Sequence, residues 1–381
     1  MTPISLAPGN KSSVDWIMLG SALGLCALGL ITMSSFQATD PFFIRQAVWI
    51  IIGVAVFFGA SQVDWRFLRR SGVALGIYGA LLVPLVFLIV AGHSVLGAKS
   101  WFNFGIAAFQ PTDFVNLALI ILLAKYFSRR HIEIANFRHI LVSGAYALVV
   151  FLLIALQPDF GAAVIIFFIW LGMVLYSGLS RTHLLLILSI GVIAFAGLWL
   201  FGFHDYQKQR ILNFVNPSRD LHGTGYNAYQ STVAVGSGQL LGKGIGYGTQ
   251  SKLRFLPEYQ TDFIFAAYAE EWGFVGIALA LALYGLLFWR ILRAAGRGSG
   301  NFETLFALGV LCYFAAHMVL HAGINLGVLP VTGTTIPFMS YGGSHLVAEF
   351  LALGIISGMA AYSRVAHPQA LERDWAGGYD R

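Results

Sequence analysis

Charge is scarce in this chain: only 10% of its 381 residues are Asp, Glu, Lys or Arg, against about a quarter in soluble domains. A water-facing globular surface is therefore excluded. Cysteine is nearly absent as well. Cys26 and Cys312 both fall inside apolar runs without metal-ligand spacing, so no disulfide is expected. No cleavable leader is visible, because the polar first fourteen residues, with Lys11, lead into an apolar run from Trp16 long enough to remain as a span. Nucleotide signatures are missing too. In GSGQLLGKGIGYG, Gly238 to Lys243 is one residue short of GxxxxGK and is followed by Gly244, while Gly236 and Gly238 lack the third glycine of GxGxxG at position 241. Nothing resembles a Ser-His-Asp or Cys-His nucleophile pair.

What the chain has is hydrophobic length. Apolar residues make up 57% and mean hydropathy is +0.74, which define an all-α, polytopic membrane protein. Runs of about 18 to 25 apolar residues place ten helices, near 15–35, 44–62, 72–92, 111–128, 138–157, 160–178, 183–203, 263–290, 303–326 and 341–362. The whole of 1–381 reads as a single transmembrane domain, with 363–381 as a cytoplasmic tail. Net charge is +6, but the cations are scattered in short loops with no basic stripe, which argues against a nucleic-acid partner. They report topology instead. Arg66, Arg69, Arg70, Arg129, Arg130, Arg181, Arg293 and Arg297 follow even-numbered spans, and Arg364 and Arg373 lie in the tail, so the positive-inside bias puts both termini in the cytoplasm.

One connection is far longer than the rest, residues 204–262 between the seventh and eighth spans. Loops of this size are functional or disordered, and the aromatic, leucine and glycine motifs here favour an ordered extracytoplasmic lid. Its six cations, Lys208, Arg210, Arg219, Lys243, Lys252 and Arg254, suit an anionic ligand or the head groups of membrane lipids.

The lid runs into PEYQTDFIFAAYAEEWGFVG, which carries acids into a membrane helix. Asp262 stands at the helix start, and Glu270 lies roughly 12 Å further in by the 1.5 Å rise per residue. Acids at such depth cost about 2.5 to 3.5 kcal/mol each and usually face a protein-lined or wet cavity. Eight residues put Glu270 about 80° around from Asp262, so the two can share a cavity, whereas Glu271 points to a neighbouring helix. Other polar groups end on the same side: Lys99 and Trp101 in GAKSW, Asp113 in QPTD, and Asp159 in QPDFG. Asp113, Asp159 and Asp262 all suit helix caps or ligand contacts, and Trp101 suits an interfacial belt or a site. A second polar set, His317 with His321 and His345 with Glu349, has i, i+4 spacing suited to a metal pair or to mutual hydrogen bonding in the membrane.

Longer motifs carry a resemblance. HDYQKQRI at His204, GYNAYQSTVAVGSGQLLGKG from Gly225, GTQSKLRFLPEYQTDFIFAAYAEEWG from Gly248 and LPVTGTTIPFMSYGGS from Leu329 are similar to segments of the SEDS family (shape, elongation, division and sporulation), in its rod-shape branch. GAKSW, QPTDF and QPDFG resemble its shorter motifs. The resemblance implies ten transmembrane helices in the bacterial cytoplasmic membrane and a peptidoglycan glycosyltransferase that polymerises lipid II at the outer face. It implies Asp262 as the catalytic aspartate, Trp101 as a functionally required tryptophan and Glu270 as an important acid on the same helix; Lys99, Asp113, Asp159 and Glu258, with Arg210 and Lys243 of the lid to steady developing charge, complete the expected substrate-binding set. Substrates would be lipid II and the growing glycan linked to undecaprenyl diphosphate, with a class B penicillin-binding protein as partner. No nucleotide is needed, because the polyprenyl diphosphate is itself the activated donor, and a divalent cation could share charge stabilisation.

The chain departs from that pattern at several points. Where the family has QPSE with a lysine three residues on, this chain has QPTD and Asn116; where QSKIA is usual, it has Gln230, Ser231 and Thr232. Asn-Ile-Gly-Met is expected around His321 to Ile324 and reads as replaced, and Gly333 to Pro337 differs too. Other readings from different classes are a lipid II flippase, a division-type member and a non-enzymatic scaffold.

Overall fold

The structure, a computed structural model, describes residues 14–35, 41–91, 100–103, 108–128, 137–203, 205–216, 224–253, 255–256, 258–298 and 300–376. Among these, the chain is helical almost throughout: α1 (Trp16–Ser34), α2 (Pro41–Gln62), α3 (Ser71–Ala91), α4 (Pro111–Ser128), α5 (Phe137–Ala155), α6 (Phe160–Tyr176) and α7 (Arg181–Gly197) come first. The long connection holds α8 (Asp205–Val215), α9 (Thr224–Ser237) and the single turn α10 (Thr249–Lys252), and α11 (Ile264–Ala295), α12 (Asn301–Asn325) and α13 (Gly343–Ala376) complete the chain. A two-residue strand pair, Phe102–Asn103 with Ala108–Phe109, is antiparallel. Nine helices among the described residues are long and apolar enough to cross a membrane, and α6 is apolar at 17 residues. All ten lie where the hydropathy runs place spans. The last helix differs by running on to Ala376, into the stretch expected as a tail.

Burial is graded across the bundle. α4 is apolar on every side and enclosed by α3, α12 and α13, as an all-round hydrophobic helix must be. α7 exposes Leu185, Val192 and Ile193 at 65%, 70% and 71%, a surface suited to lipid. α2 and α13 approach closely through small residues: a Cβ on Gly354 would sit 2.7 Å from the Phe57 carbonyl oxygen. Such approaches let membrane helices gain dispersion contact where no hydrophobic drive separates protein from lipid. At one end of the bundle ion pairs close the structure: Asp15 caps α1 by accepting from Met18 N at 3.0 Å and accepts from Arg290 Nε at 3.1 Å, and Arg69 Nε donates to Glu303 at 2.7 Å. This is the arginine-rich end.

α11 is not continuous. Gly273 has φ 63° and ψ −162°, which interrupts the helix, and the broken ladder frees backbone groups that must be satisfied inside a membrane. The glycine-rich segment supplies the partners. Lys243 N donates to Glu270 O and Gly244 N to Glu271 O, each at 3.0 Å, while Phe274 N and Val275 N donate to Gln239 O and Leu240 O at 2.9 and 3.1 Å. A Cβ on Gly242 would collide with Glu271 O. The glycines that tempt a phosphate-loop reading are there so that one backbone can lie against another.

Candidate functional site

Asp262 lies at the end opposite the arginine-rich loops, beside the starts of α4, α6 and α13. Its backbone is pinned from two later segments. Tyr341 N donates to Gln260 O at 2.8 Å, Ser340 Oγ to Thr261 O at 2.9 Å, and Asn325 Nδ2 to Asp262 O at 3.0 Å. Asn325 also accepts from Ala266 N through Oδ1 at 3.1 Å, satisfying one of the donors that a helix start leaves free. Three consecutive carbonyls are thus fixed before the helix begins. Asn325 and Ser340 were not singled out in the sequence, because their partners lie 63 and 79 residues away. Asn325 also shows that the asparagine read as replaced is present a turn later, followed by Leu326 and Gly327.

The Asp262 side chain does not cap α11. Phe263 is the N-cap residue, and the side chain that reaches the first turn is Asn325, bonded to Ala266 N, which removes the capping alternative for Asp262. Burial pushes the Asp262 carboxyl up to about 7; nearby Glu258 and Asp159 push the same way, while Arg210 and a hydrogen bond from Thr261 oppose them. Asp159 is also raised, chiefly by burial, and Arg210 again opposes. Asp262, Glu258, Asp159 and Arg210 therefore form one electrostatic group. Gly333 of the α12–α13 loop closes on it, since a Cβ there would stand 3.5 Å from Asp262 Oδ2.

Asp159 caps α6 through Ala162 N at 3.0 Å and accepts from Ser100 Oγ at 3.2 Å. Cap and site member are thus the same residue. The Ser100 bond sets the adjacent, half-buried Trp101 at the same edge. Lys99 lies outside the described residues. Arg210, on α8, lines a cleft with Gln207, Phe203, Pro158 and Thr332, and a second cavity of about 190 Å³ with Tyr229, Thr232 and Gly327. Thr232, where the resemblance expects a lysine, thus shares a cavity wall with Arg210, the cation that acts on Asp262 among the described residues.

Other expected members are held elsewhere. Glu270, fully buried, accepts at Oε1 from Lys243 Nζ at 2.6 Å, Thr249 N at 2.9 Å, Thr249 Oγ1 at 3.0 Å and Gln250 N at 3.2 Å. It latches the lid to α11, so the shared cavity with Asp262 is replaced by a clamp, and Lys243 is engaged in it. Glu271 turns to the end of α1, accepting from Ser35 Oγ at 2.6 Å and from Gly246 N at 2.8 Å. Asp113 is in the first turn of α4, but its carboxylate accepts from Ser344 Oγ at 3.0 Å and meets His345 Nδ1 at 3.1 Å. His345 Nε2 in turn lies 2.9 Å from Glu349 Oε1. The expected His345–Glu349 pair is a three-member cluster with Asp113.

His317 and His321 each spend one ring nitrogen on a backbone carbonyl and keep Nε2 without a partner among the described residues. Their Nδ1 atoms face the carbonyls of Thr335 and Thr334 at 3.0 and 2.7 Å; a carbonyl can only accept, so both Nδ1 atoms carry the proton. Among the described residues no three His, Cys, Asp or Glu side chains converge as a metal cluster.

Fold and site define a multi-pass, all-helical membrane protein that keeps a carboxylate and a guanidinium together at one end of its bundle. The chain belongs to the FtsW/RodA/SpoVE family of cell cycle proteins, whose model matches residues 13–365. It is 35% identical over 365 residues to stage V sporulation protein E of Bacillus subtilis (93% of this chain, 99% of the relative) and 33% identical over 358 residues to peptidoglycan glycosyltransferase MrdB of Escherichia coli K12 (93% and 96%). Among solved structures it resembles a chain of a peptidoglycan synthase complex described as coordinating polymerisation and crosslinking, with TM-score 0.78, 32% identity and coverage of 92% and 98%. It also resembles the rod shape determining protein RodA of Thermus thermophilus, with TM-score 0.68, 30% identity and coverage of 93% and 97%.

Proposed function

We propose that this chain is a peptidoglycan glycosyltransferase that polymerises lipid II into glycan strands at the outer face of the cytoplasmic membrane, in the elongation role. The observation that carries the reading is Asp262: a carboxylate that caps nothing, fixed at its backbone, raised to about 7 and set beside Arg210. A base works best when its pKa lies near the working pH.

Asp262 takes the proton from the 4-hydroxyl of the GlcNAc of an incoming lipid II. That oxygen attacks the anomeric carbon of the terminal MurNAc on the growing chain. The C1–oxygen bond to the diphosphate breaks with inversion, undecaprenyl diphosphate departs with the electron pair, and Asp262 passes its proton to water. Arg210 steadies the charge developing on the diphosphate. Trp101, Lys99, Asp159 and Glu258 position sugars and head group at this mouth. Asp113, Lys243 and Glu270 support the site from behind it. A divalent cation belongs to the proposal only as a possible companion of the diphosphate.

The similarity to a synthase-complex chain supports a class B penicillin-binding protein as the crosslinking partner. Purified protein incubated with lipid II and that partner tests the reading. Glycan chains made by the wild type and lost in Asp262→Ala are expected. Movement of lipid II between leaflets without chains would make the protein a flippase, neither chains nor movement would leave it a scaffold, and chain synthesis untouched by Asp262→Ala would remove Asp262 from the role of base.

A further inference from the structure

Between α12 and α13, residues 332–335 form neither helix nor strand, yet they are closely placed on two sides. Gly333, in the left-handed region at φ 73°, passes the Asp262 carboxyl, where an added Cβ would stand 3.5 Å from Oδ2. Its two neighbours press on the start of α6: a Cβ on Gly161 would stand 2.7 Å from Thr334 Cγ2 and 3.0 Å from Thr332 O. Pro330, Val331 and Thr332 line the Arg210 cleft. The strip is therefore a wall of the mouth, with the half-buried Asp262 against one side of it.

A wall without secondary structure needs anchors. Among the described residues, the hydrogen bonds of 332–335 are the two from α12: His321 Nδ1 donates to Thr334 O at 2.7 Å and His317 Nδ1 to Thr335 O at 3.0 Å. Both histidines are buried, and at i, i+4 they share one face of the helix. One turn further on, Asn325 of the same helix donates to the Asp262 carbonyl. Base and wall thus hang from one helix, so α12 sets their separation and the irregular strip does not.

We propose, on the reading of Asp262 as the base, that His321 and His317 are positioning residues for the glycosyl transfer: they hold 332–335 against one side of the Asp262 carboxyl and keep water from it there. The charged groups that face Asp262 are Glu258, Asp159 and Arg210, with Thr261 as a hydrogen-bond donor, and none of them bonds to either histidine. What the strip supplies is burial, the largest cause of the raised carboxyl. His317 also lies against the Asp113–His345–Glu349 cluster, its ring centroid 4.8 Å from that of His345. His321, whose ring reaches the strip directly, is the cleaner lever.

The test compares full-length wild type, His321→Leu, His321→Asn and His321→Gln in lipid nanodiscs. Asparagine carries its amide nitrogen where Nδ1 stands and keeps the donor; glutamine carries it where Nε2 stands and loses the donor; leucine has none. With the wall released, His321→Leu and His321→Gln should make glycan from lipid II with kcat lower by about tenfold to a hundredfold, the range for a displaced reacting group. Their rate should also rise at lower pH than the wild type's by about one unit, since water now reaches the carboxylate and favours its charged form. His321→Asn should restore both. A second readout needs no activity: Asp262→Asn is introduced into each background and melting is followed at pH 8. The gain in Tm from Asp262→Asn should fall by about half or more in His321→Leu and His321→Gln, because a wetter carboxylate withdraws less stability when it ionises, and should return in His321→Asn. This gain is a difference within each background, so a general loss of stability cancels, and the Asn and Gln pair decides the matter if the leucine variant does not fold. An equal gain in all backgrounds, superimposed pH profiles, or His321→Asn behaving like His321→Gln overturns the assignment. Absence of glycan from the wild type would overturn the reading of the reaction, and the melting comparison would still decide whether the histidines shield Asp262.

Discussion

Asp262 and Glu270 stand eight residues apart and have opposite lives. Glu270 is wholly buried and receives four hydrogen bonds from the lid; Asp262 caps nothing, keeps its carboxylate toward the mouth, and has two other acids within electrostatic reach. The first carboxylate is saturated and therefore structural. The second is left under-satisfied while its backbone is fixed by Asn325, Ser340 and Tyr341, and that combination makes a base. Closeness along the chain is thus a poor guide to role, and the count of donors is a better one.

The sharpest way to break the contrast is to neutralise Asp262. Asp262→Asn should lower chain synthesis by about 10²- to 10⁴-fold, the usual worth of a positioned base, read as glycan formed from lipid II. The same variant separates function from stability. The folded protein holds a proton on Asp262 that the unfolded chain, near the ordinary 3.8, has released, so Asp262 withdraws stability as pH rises from about 4 to about 7. Asp262→Asn should therefore unfold at a higher temperature than wild type at pH 8 and at the same temperature at pH 4. A loss of melting temperature at pH 8 would mean the carboxylate is structural after all.

Arg210 is the next lever. It opposes the upward shift of Asp262, whereas Glu258 promotes it. The wild-type rate should rise with pH through about 7 as the base ionises. Arg210→Gln should move that rise to higher pH and lower the plateau by roughly tenfold to a hundredfold, one lost contact to a developing charge. Glu258→Gln should move it to lower pH. Profiles that superimpose would detach both residues from the base.

The Asp113–His345–Glu349 cluster tests saturation in the core. Leaving a buried charge without its partner costs about 3 to 5 kcal/mol, so His345→Leu, which strands both Asp113 and Glu349, should lower thermal stability more than Glu349→Leu, which leaves His345 paired with Asp113. Adding Glu349→Leu to His345→Leu removes one stranded acid and should recover part of the loss, while Asp113 keeps Ser344 as a partner. Additive losses would show that the 2.9 Å approach of His345 to Glu349 is mere proximity.

Much of this arrangement was legible in the residues, and what was not has a common cause. All ten apolar helices follow from hydropathy because each run is long and nearly uncharged. The lid helices α8 and α9 do not, since they are short and mix polar with apolar residues. The helical wheel that joined Asp262 to Glu270 failed at its premise: α11 starts at Ile264, so Asp262 precedes the wheel. The Glu270 clamp depends on Thr249 and Gln250, 21 and 20 residues back and across a loop. Asp113 looked like a first-turn acid, which it is, but its partner is 232 residues away. Spacing reveals neighbours within an element and is silent about those that tertiary packing brings.

The smallest expected effect concerns the mouth's cation count. Thr232 is exposed and lines the 190 Å³ cavity that Arg210 also lines, so Thr232→Lys can extend without displacing core residues. A second cation there would strengthen the hold on a diphosphate that is bound both before and during reaction. Uniform strengthening lowers KM and leaves kcat nearly unchanged, so a severalfold fall in KM for lipid II is expected. A rise in kcat instead would mean that the added charge acts only as the leaving group departs, and that Arg210 by itself leaves that charge under-stabilised.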